Sequence, residues 1–199
     1  MLFDLDGTLL DSRRLSLLAA REGLQGLGLP EPSEALVYSL VGLPEREYYA
    51  GLVPPELADL ARERVGGLEL RLLLEGAADL FPGAREALGA LRGRRLGLVT
   101  NAGRDYCLAA VGSTGLSGFM DIILCSEDAP EQGKAELVRR AVERLGRPAA
   151  LAGDRSSDWQ AARANGVYSI ACHWGFGSDA ELAGADAHAR NFEGLLALL

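Results

Sequence analysis

The chain opens with "MLFDLDGTLLDS" (residues 1–12), and how this stretch is read decides the fold. Asp4, Asp6 and Asp11 surround a Gly7-Thr8 turn directly after a short apolar lead. Asp-Gly between apolar residues is a good two-residue hairpin signal. A calcium loop counted from Asp4 would need glycine at its sixth position. That position is Leu9, which removes the EF-hand reading. A third reading is a strand end that presents two carboxylates to a phosphate and a metal. Only the rest of the chain separates the hairpin from the strand end.

Outward from this stretch, residues 12–78 carry helical spacing and no convincing strand. "SRRLSLLAAREGLQGLG" (12–28) leads to helical stretches at 33–41 and 44–50, then a longer helix after Pro54–Glu56. Gly66-Gly67 is expected to interrupt or bend that last helix. Beyond residue 95 the pattern changes. Short apolar runs at Met1–Leu5, Leu96–Thr100, Ile122–Cys125, Ala149–Ala152 and Val167–Cys172 read as strands. Helical stretches at 104–112, 133–145 and 156–165 separate the later ones. Buried short strands alternating with amphipathic helices make a parallel sheet with helices on both faces. Such sheets bind ligands beyond the carboxyl ends of their strands. Each polar cluster here follows a strand: Asp4-x-Asp6, Thr100-Asn101, and Asp154-x-x-x-Asp158, with Lys134 near a helix start after another. The sequence therefore predicts an α/β core over residues 1–11 and 79–199, with an all-helical insertion at 12–78 standing over the sheet edge as a cap.

Composition narrows the function classes. The chain has 199 residues, 48% of them apolar, enough for one domain or a core with a modest insertion. Three dispersed cysteines form no Cys-x-x-Cys, and only two histidines occur, so a disulfide framework or an imidazole-rich metal cluster is not expected. A formal charge of −8 disfavours nucleic acid as a partner. No apolar run is long enough to span a bilayer, and no basic leader precedes one, so no membrane partner is expected and the default location is the cytoplasm. Lys134 is the single lysine among 20 basic residues, all the others being arginine. Arginine serves on a surface; a retained lysine suggests a site that needs a compact ammonium.

Were the ligand a phosphate monoester, each cluster would have a task. Asp4 can act as nucleophile and form an aspartyl-phosphate. Asp6 can protonate the departing alkoxide and then deprotonate the hydrolytic water. Two carboxylates beside a phosphate dianion call for a cation, and Mg²⁺ suits oxygen ligands from Asp4, the Asp6 backbone carbonyl and Asp154. Asp158, one helical turn on, is better placed as an outer support. Thr100 and Asn101 offer a hydroxyl and backbone N–H groups at a helix N-terminus, a cradle for phosphate. Lys134 would hold nucleophile and phosphoryl group together. Helix capping by Asp154 or Ser156, and an ordinary cap at Thr100-Asn101, stay open as structural alternatives. "GFGSDA" (175–180) looks like a dinucleotide-binding turn, but too little chain follows it, and a loop rim of the same site or plain turn chemistry fits better.

At this point the residues resemble the haloacid dehalogenase superfamily. "DLDGTLLDS" is similar to its first motif, "LVTNA" to its second, Lys134 in "GKAEL" to its third, and "AGDRSSDWQAARANG" to its fourth. "FPGAREALGAL" and "HWGFGSDAELAGADA" resemble the phosphoglycolate phosphatase-like branch. The resemblance implies a Rossmann-like fold with a helical cap inserted after the first motif, and Mg²⁺-dependent hydrolysis of a small phosphorylated metabolite, phosphoglycolate being one candidate. Asp6 is absent from true dehalogenases, so phosphate chemistry is implied. A sugar-phosphate mutase of the β-phosphoglucomutase kind is the enzymatic alternative. Such mutases are expected to use a cap histidine, and residues 12–78 contain none. A non-catalytic binding protein on the same fold is the other alternative. Two departures stand out: no proline follows Lys134, and only Met1–Phe3 precede Asp4, where relatives carry more apolar residues. The true start is therefore expected upstream of Met1. Monomer and homodimer remain equally open.

Overall fold

The computed structural model describes residues 1–130, 132–146 and 150–199. In chain order, β1 (Leu2–Phe3) and β2 (Leu10–Asp11) precede four helices: α1 (Arg13–Gly26), α2 (Glu34–Leu40), α3 (Glu45–Leu52) and α4 (Ala58–Leu74). Next come β3 (Asp79–Leu80), α5 (Ala84–Ala90), β4 (Gly97–Val99), α6 (Arg104–Ser113), β5 (Ile122–Leu124) and α7 (Gly133–Leu145). The chain ends with β6 (Ala150–Gly153), α8 (Ser156–Ala164), β7 (Tyr168–Cys172), α9 (Asp179–Leu182), β8 (Ala187–Ala189) and α10 (Phe192–Leu196). The strand expected at Ala149–Ala152 is β6, and Ala149 itself lies outside the described residues.

Six strands form one parallel sheet in the order β5-β4-β1-β6-β7-β8. The chain builds outward from β1 to one side through β4 and β5. It then returns to the other side of β1 through β6, β7 and β8. The strand order thus reverses beside β1, and this reversal opens a crevice at the carboxyl end of that strand, where doubly wound sheets bind ligands. Pleating sends neighbouring residues to opposite faces. Leu2, Val99 and Leu151 pack with α7 and α8 on one face, whereas Phe3, Leu98 and Ala152 pack with α5, α6 and α10 on the other. The Rossmann-like α/β architecture read from the sequence is the one observed.

The hairpin reading of Asp6-Gly7 does not hold. β1 pairs in parallel with β4 and β6, while β2 pairs antiparallel with β3, through Leu10 opposite Leu80 and Asp11 opposite Asp79. Between β1 and β2 the chain coils tightly, with the Leu9 and Leu10 N–H groups both donating to the Leu5 carbonyl at 2.9 Å. Gly7 takes φ +78° in this coil, a left-handed conformation that other residues adopt at a cost.

The helices α1–α4 lie between β2 and β3 and share an apolar cluster that includes Leu17, Leu24, Val37, Tyr49 and Val65. Gly23 on α1 lets Val65 of α4 approach, since a Cβ there would sit 2.6 Å from its Cγ2. The expected break at Gly66-Gly67 is absent: α4 runs unbroken from Ala58 to Leu74. Gly66 instead leaves room for Tyr49, whose hydroxyl would lie 2.8 Å from a Cβ at that position. Packing accounts for Gly66.

Gly7→Ala is expected to lower stability by about 1–2 kcal/mol for the left-handed conformation alone. Further loss is expected because the new Cβ would run into the Asp154 carboxylate. Urea unfolding reads this directly, and an unshifted midpoint would mean that the coil can relax around a side chain.

Candidate active site

Asp4 directly follows β1, and its N–H donates to the Ala152 carbonyl of β6 at 2.9 Å. The backbone is thus still in the sheet ladder where the side chain leaves it. Lys134 arrives from the far side of β4, at the second residue of α7. On that helix it heads a buried stripe continued by Leu137, Val138, Ala141 and Leu145. Its Nζ lies 2.5 Å from Asp4 Oδ1 and 2.5 Å from Asp158 Oδ1. Only 6% of Lys134 is exposed. Burial alone would lower the ammonium's pKa, but the Asp158 and Asp4 carboxylates outweigh it and hold the charge firmly in place.

Asp154 follows β6 and is fully buried. Its carboxylate accepts from Thr8 Oγ1 at 3.1 Å and from the Phe176 N–H at 2.7 Å. Gly7, Gly175 and Gly177 surround it so closely that a Cβ on any of them would collide with Asp154. "GFGSDA" is therefore the rim of this same site. Asp158 Oδ2 accepts from the Arg155 N–H at 2.9 Å, so part of the capping alternative is real, and it falls on Asp158 rather than on Asp154.

Oxygens of Asp4, Asp154 and Asp158 all lie within 4.8 Å of one another. Three buried carboxylates are thus matched by one ammonium, an uncompensated negative charge that an interior tolerates poorly. Burial, with Asp158 and Asp154 adding to it and Lys134 opposing, pushes the Asp4 pKa well above the carboxylate range. Burial and Asp158 push Asp154 up to about 7. The donor set is all oxygen, buried and over-negative, which fits a hard divalent cation.

Asp6 is also buried, and burial raises its pKa although the Tyr106 hydroxyl, donating to Oδ1 at 2.6 Å, works against this. Thr100 and Asn101 follow β4 as expected, but α6 starts only at Arg104, so they do not form its N-terminus. Thr100 Oγ1 accepts the Ala102 N–H at 3.1 Å. Asn101 Nδ2 donates to the Gly42 carbonyl at 2.9 Å, and Arg155 Nη2 donates to the Ser39 carbonyl at 2.8 Å. The first contact ties down the α2–α3 loop and the second the last turn of α2. A cleft of about 370 Å³ runs from Asp4 and Asp6 to the facing sides of α3 and α4. Arg46 is exposed and stays outside its lining, as a solvated helix charge would.

Sequence reading missed Tyr106, Tyr48, Tyr49 and Glu69. The Tyr48 and Tyr49 hydroxyls donate to Glu69 Oε1 and Oε2 at 3.1 and 3.0 Å. Glu69 did leave a signal: the buried residues of α4 are Ala61, Val65, Glu69 and Leu73, an apolar stripe of period four with one acid in it. Burial, opposed by the two tyrosine hydroxyls, pushes its pKa up to about 7.

The haloacid dehalogenase-like hydrolase family matches over residues 1–172, and the chain belongs to that family. Its likeness extends to the phosphoglycolate phosphatase-like branch. A phosphoglycolate phosphatase of Cupriavidus necator is 32% identical over 215 residues, covering 100% of this chain and 92% of that protein. The tyrosine-protein kinase PtkA of Mycobacterium tuberculosis is 30% identical over 186 residues, covering 89% of this chain, which spans only 62% of PtkA. Among solved structures, a haloacid dehalogenase-like hydrolase from Streptococcus pneumoniae superposes with a TM-score of 0.89 at 27% identity, over 99% of this chain and 96% of that one. Among the described residues no helix is long and apolar enough to cross a membrane.

The raised carboxylate pKa values set a pH dependence. A carboxylate whose folded pKa lies above its unfolded value binds more protons when folded, so its contribution to stability is present at low pH and lost as pH rises through the folded value. For Asp154 that window runs from the ordinary value of 3.8 to about 7. Metal-free protein is expected to melt at a lower temperature at pH 7.5 than at pH 5. Added Mg²⁺ is expected to raise the pH 7.5 midpoint more than the pH 5 one. Calorimetry in chelator and in Mg²⁺ tests both, and an equal metal effect at the two pH values would remove the cluster as the metal site.

Proposed function

We propose that this chain is a Mg²⁺-dependent phosphomonoesterase that acts on a small phosphorylated metabolite through an aspartyl-phosphate on Asp4. The observation that carries the reading is the Lys134 ammonium seated 2.5 Å from Asp4 Oδ1 at the carboxyl end of the central strand, inside a ring of buried carboxylates. A structural ion pair would not require that position beside the sheet crevice. A nucleophile that must meet an anionic phosphoryl group does, because the ammonium offsets the repulsion between them.

In this reading an Asp4 carboxylate oxygen attacks phosphorus and the bond to the leaving oxygen breaks in line. Asp6, held by Tyr106 and shifted toward its protonated form by burial, gives its proton to the departing alkoxide. The same carboxylate then takes a proton from the water that cleaves the aspartyl-phosphate, restoring Asp4 and releasing inorganic phosphate. The Thr100 hydroxyl and the backbone N–H groups after it would bind the phosphoryl oxygens. Asp4, Asp154 and the Asp6 backbone carbonyl would hold Mg²⁺, with Asp158 supporting through Lys134. When bound, the metal would supply positive charge against the phosphoryl oxygens and the crowded carboxylates. Residues 12–78 would serve as a cap over the core formed by 1–11 and 79–199, shielding the intermediate from stray water. The bonds from Asn101 to Gly42 and from Arg155 to Ser39 are suited to latch that cap. Phosphoglycolate enters the candidate substrates through the names of relatives.

Phosphate release from a panel of phosphorylated metabolites, with and without Mg²⁺, is the direct test. Asp4→Asn is expected to abolish metal-dependent release. Conversion between sugar-phosphate isomers without net release would favour a mutase instead. Lys134→Arg is expected to lose about 10²–10³-fold in kcat, the scale of one removed electrostatic contact to the reacting group, because a planar guanidinium cannot replace a compact ammonium between two carboxylates. Near-normal turnover in that variant would take Lys134 out of the mechanism.

A further inference from the structure

The cleft wall facing the reaction centre has a consistent hydrogen-bonding polarity. Glu69, 5% exposed, accepts the hydroxyl hydrogens of both Tyr48 and Tyr49. Tyr106 gives its hydroxyl hydrogen to Asp6. A phenol has one O–H to donate, and Glu69 in the ionised form that accepts both of them has none. The three tyrosines have therefore spent their donors within the protein, and what these four side chains can offer a bound molecule is oxygen lone pairs. The charges agree. Beyond Asp4 and Asp6 the lining carries Glu45, Glu63, Glu69, Asp105 and Glu127 against two guanidiniums, Arg62 and Arg104. Of these two, Arg104 is already paired to Asp128 at 3.0 Å. Glu127 accepts the Arg104 N–H at the start of α6, which leaves Glu45, Glu63, Glu69 and Asp105 facing Arg62.

We propose that Glu69, held by Tyr48 and Tyr49, is the specificity-determining residue of the cleft, selecting phosphate monoesters whose alcohol portion carries hydroxyl or ammonium donors and no carboxylate. The inference rests on the phosphomonoesterase reading and names its substrate class. A donor-bearing leaving group satisfies the lone pairs of Glu69 and the tyrosines. A carboxylate in the same place brings no donor to the remaining lone pairs and sets like charges together. Phosphoglycolate, whose leaving group ends in a carboxylate, is by this argument a poor substrate.

The test compares glycerol 3-phosphate, phosphoethanolamine and phosphoglycolate, with p-nitrophenyl phosphate as a reference ester. For the wild-type protein, kcat/KM on the better of the first two is expected to exceed that on phosphoglycolate by about tenfold or more, a modest fraction of what a donor-reading site can achieve. The glycerol and ethanolamine arms distinguish hydroxyl from ammonium as the group recognised. Glu69→Gln, close in shape, is expected to shrink the preference mainly through KM. A wild-type preference for phosphoglycolate, or an unchanged ratio in Glu69→Gln, would overturn the inference. Should that variant fail to fold, the wild-type order decides alone. Failure to hydrolyse even p-nitrophenyl phosphate would count against the phosphomonoesterase reading itself. Calorimetric binding of the same three esters then decides the inference separately: tighter binding of a donor-bearing ester supports it, and tighter phosphoglycolate binding, or none by any ester, overturns it.

Discussion

A lysine ammonium buried between two aspartates is the contact on which the other features of this molecule depend. Lys134 touches Asp4 and Asp158 at 2.5 Å each, with Asp154 close by. Buried charges are costly to maintain unless paired, and removing one partner of such a pair typically costs about 3–5 kcal/mol. The arrangement therefore constrains everything around it. β1 must hold Asp4 at the end of its ladder, α7 must start with its lysine on the buried stripe, and α8 must present Asp158 in its first turn. An ammonium between three carboxylates still leaves excess negative charge. That excess suits the site to a further cation, and it adds to the burial that drives the Asp4 and Asp154 pKa values upward.

Backbone geometry keeps this cluster compact. Asp154 is enclosed by three glycines from two separate segments: Gly7 in the coil after β1 and Gly175 after β7 crowd its carboxylate, and Gly177 its backbone carbonyl. Side chains at these positions would displace the carboxylate or force the loops apart. Gly153 has the same relation to Asp158. Close approach of backbone to a charged group is where glycine's small size is needed, and each of these positions lies at the edge of the sheet where the strand order reverses.

Much of this was legible in the sequence for a physical reason. Parallel strands buried on both faces read as apolar runs, and loops at their carboxyl ends carry the polar residues, so Asp4, Thr100, Lys134 and Asp154 could be placed at one edge before any coordinates. What escaped was short or local. β2 and β3 are two residues each and are defined only by pairing with one another across the helical segment. β8, an Ala-His-Ala strand, has no β-branched residue to mark it. The interruption expected at Gly66-Gly67 did not occur, because a helix stabilised by packing on both α1 and α3 can absorb the weak propensity of two glycines. Tyr106 was invisible because a tyrosine on an amphipathic helix is ordinarily core.

Glu69 carries the most instructive lesson, because the sequence held its signal in plain form. An acid at the third position of an Ala61, Val65, Glu69, Leu73 stripe breaks the apolar pattern that seats α4 against its neighbours. A leucine there would pack without the cost of desolvating a carboxylate, and two tyrosine hydroxyls only partly offset that cost. The fold therefore gives up stability at this position, in the wall of the cleft rather than in a solvent-facing patch. Sequence rules that fail locally, without a gain in packing, fail most often where a ligand is recognised. Glu69 and Lys134 are complementary in this sense. In the proposed reading, the lysine gathers negative charge where phosphate chemistry would call for a cation, and the glutamate keeps an acceptor where the alcohol end of the ester would lie. The two ends of the cleft thus have opposite chemical demands, and a molecule that satisfies both is anionic at one end and donor-bearing at the other.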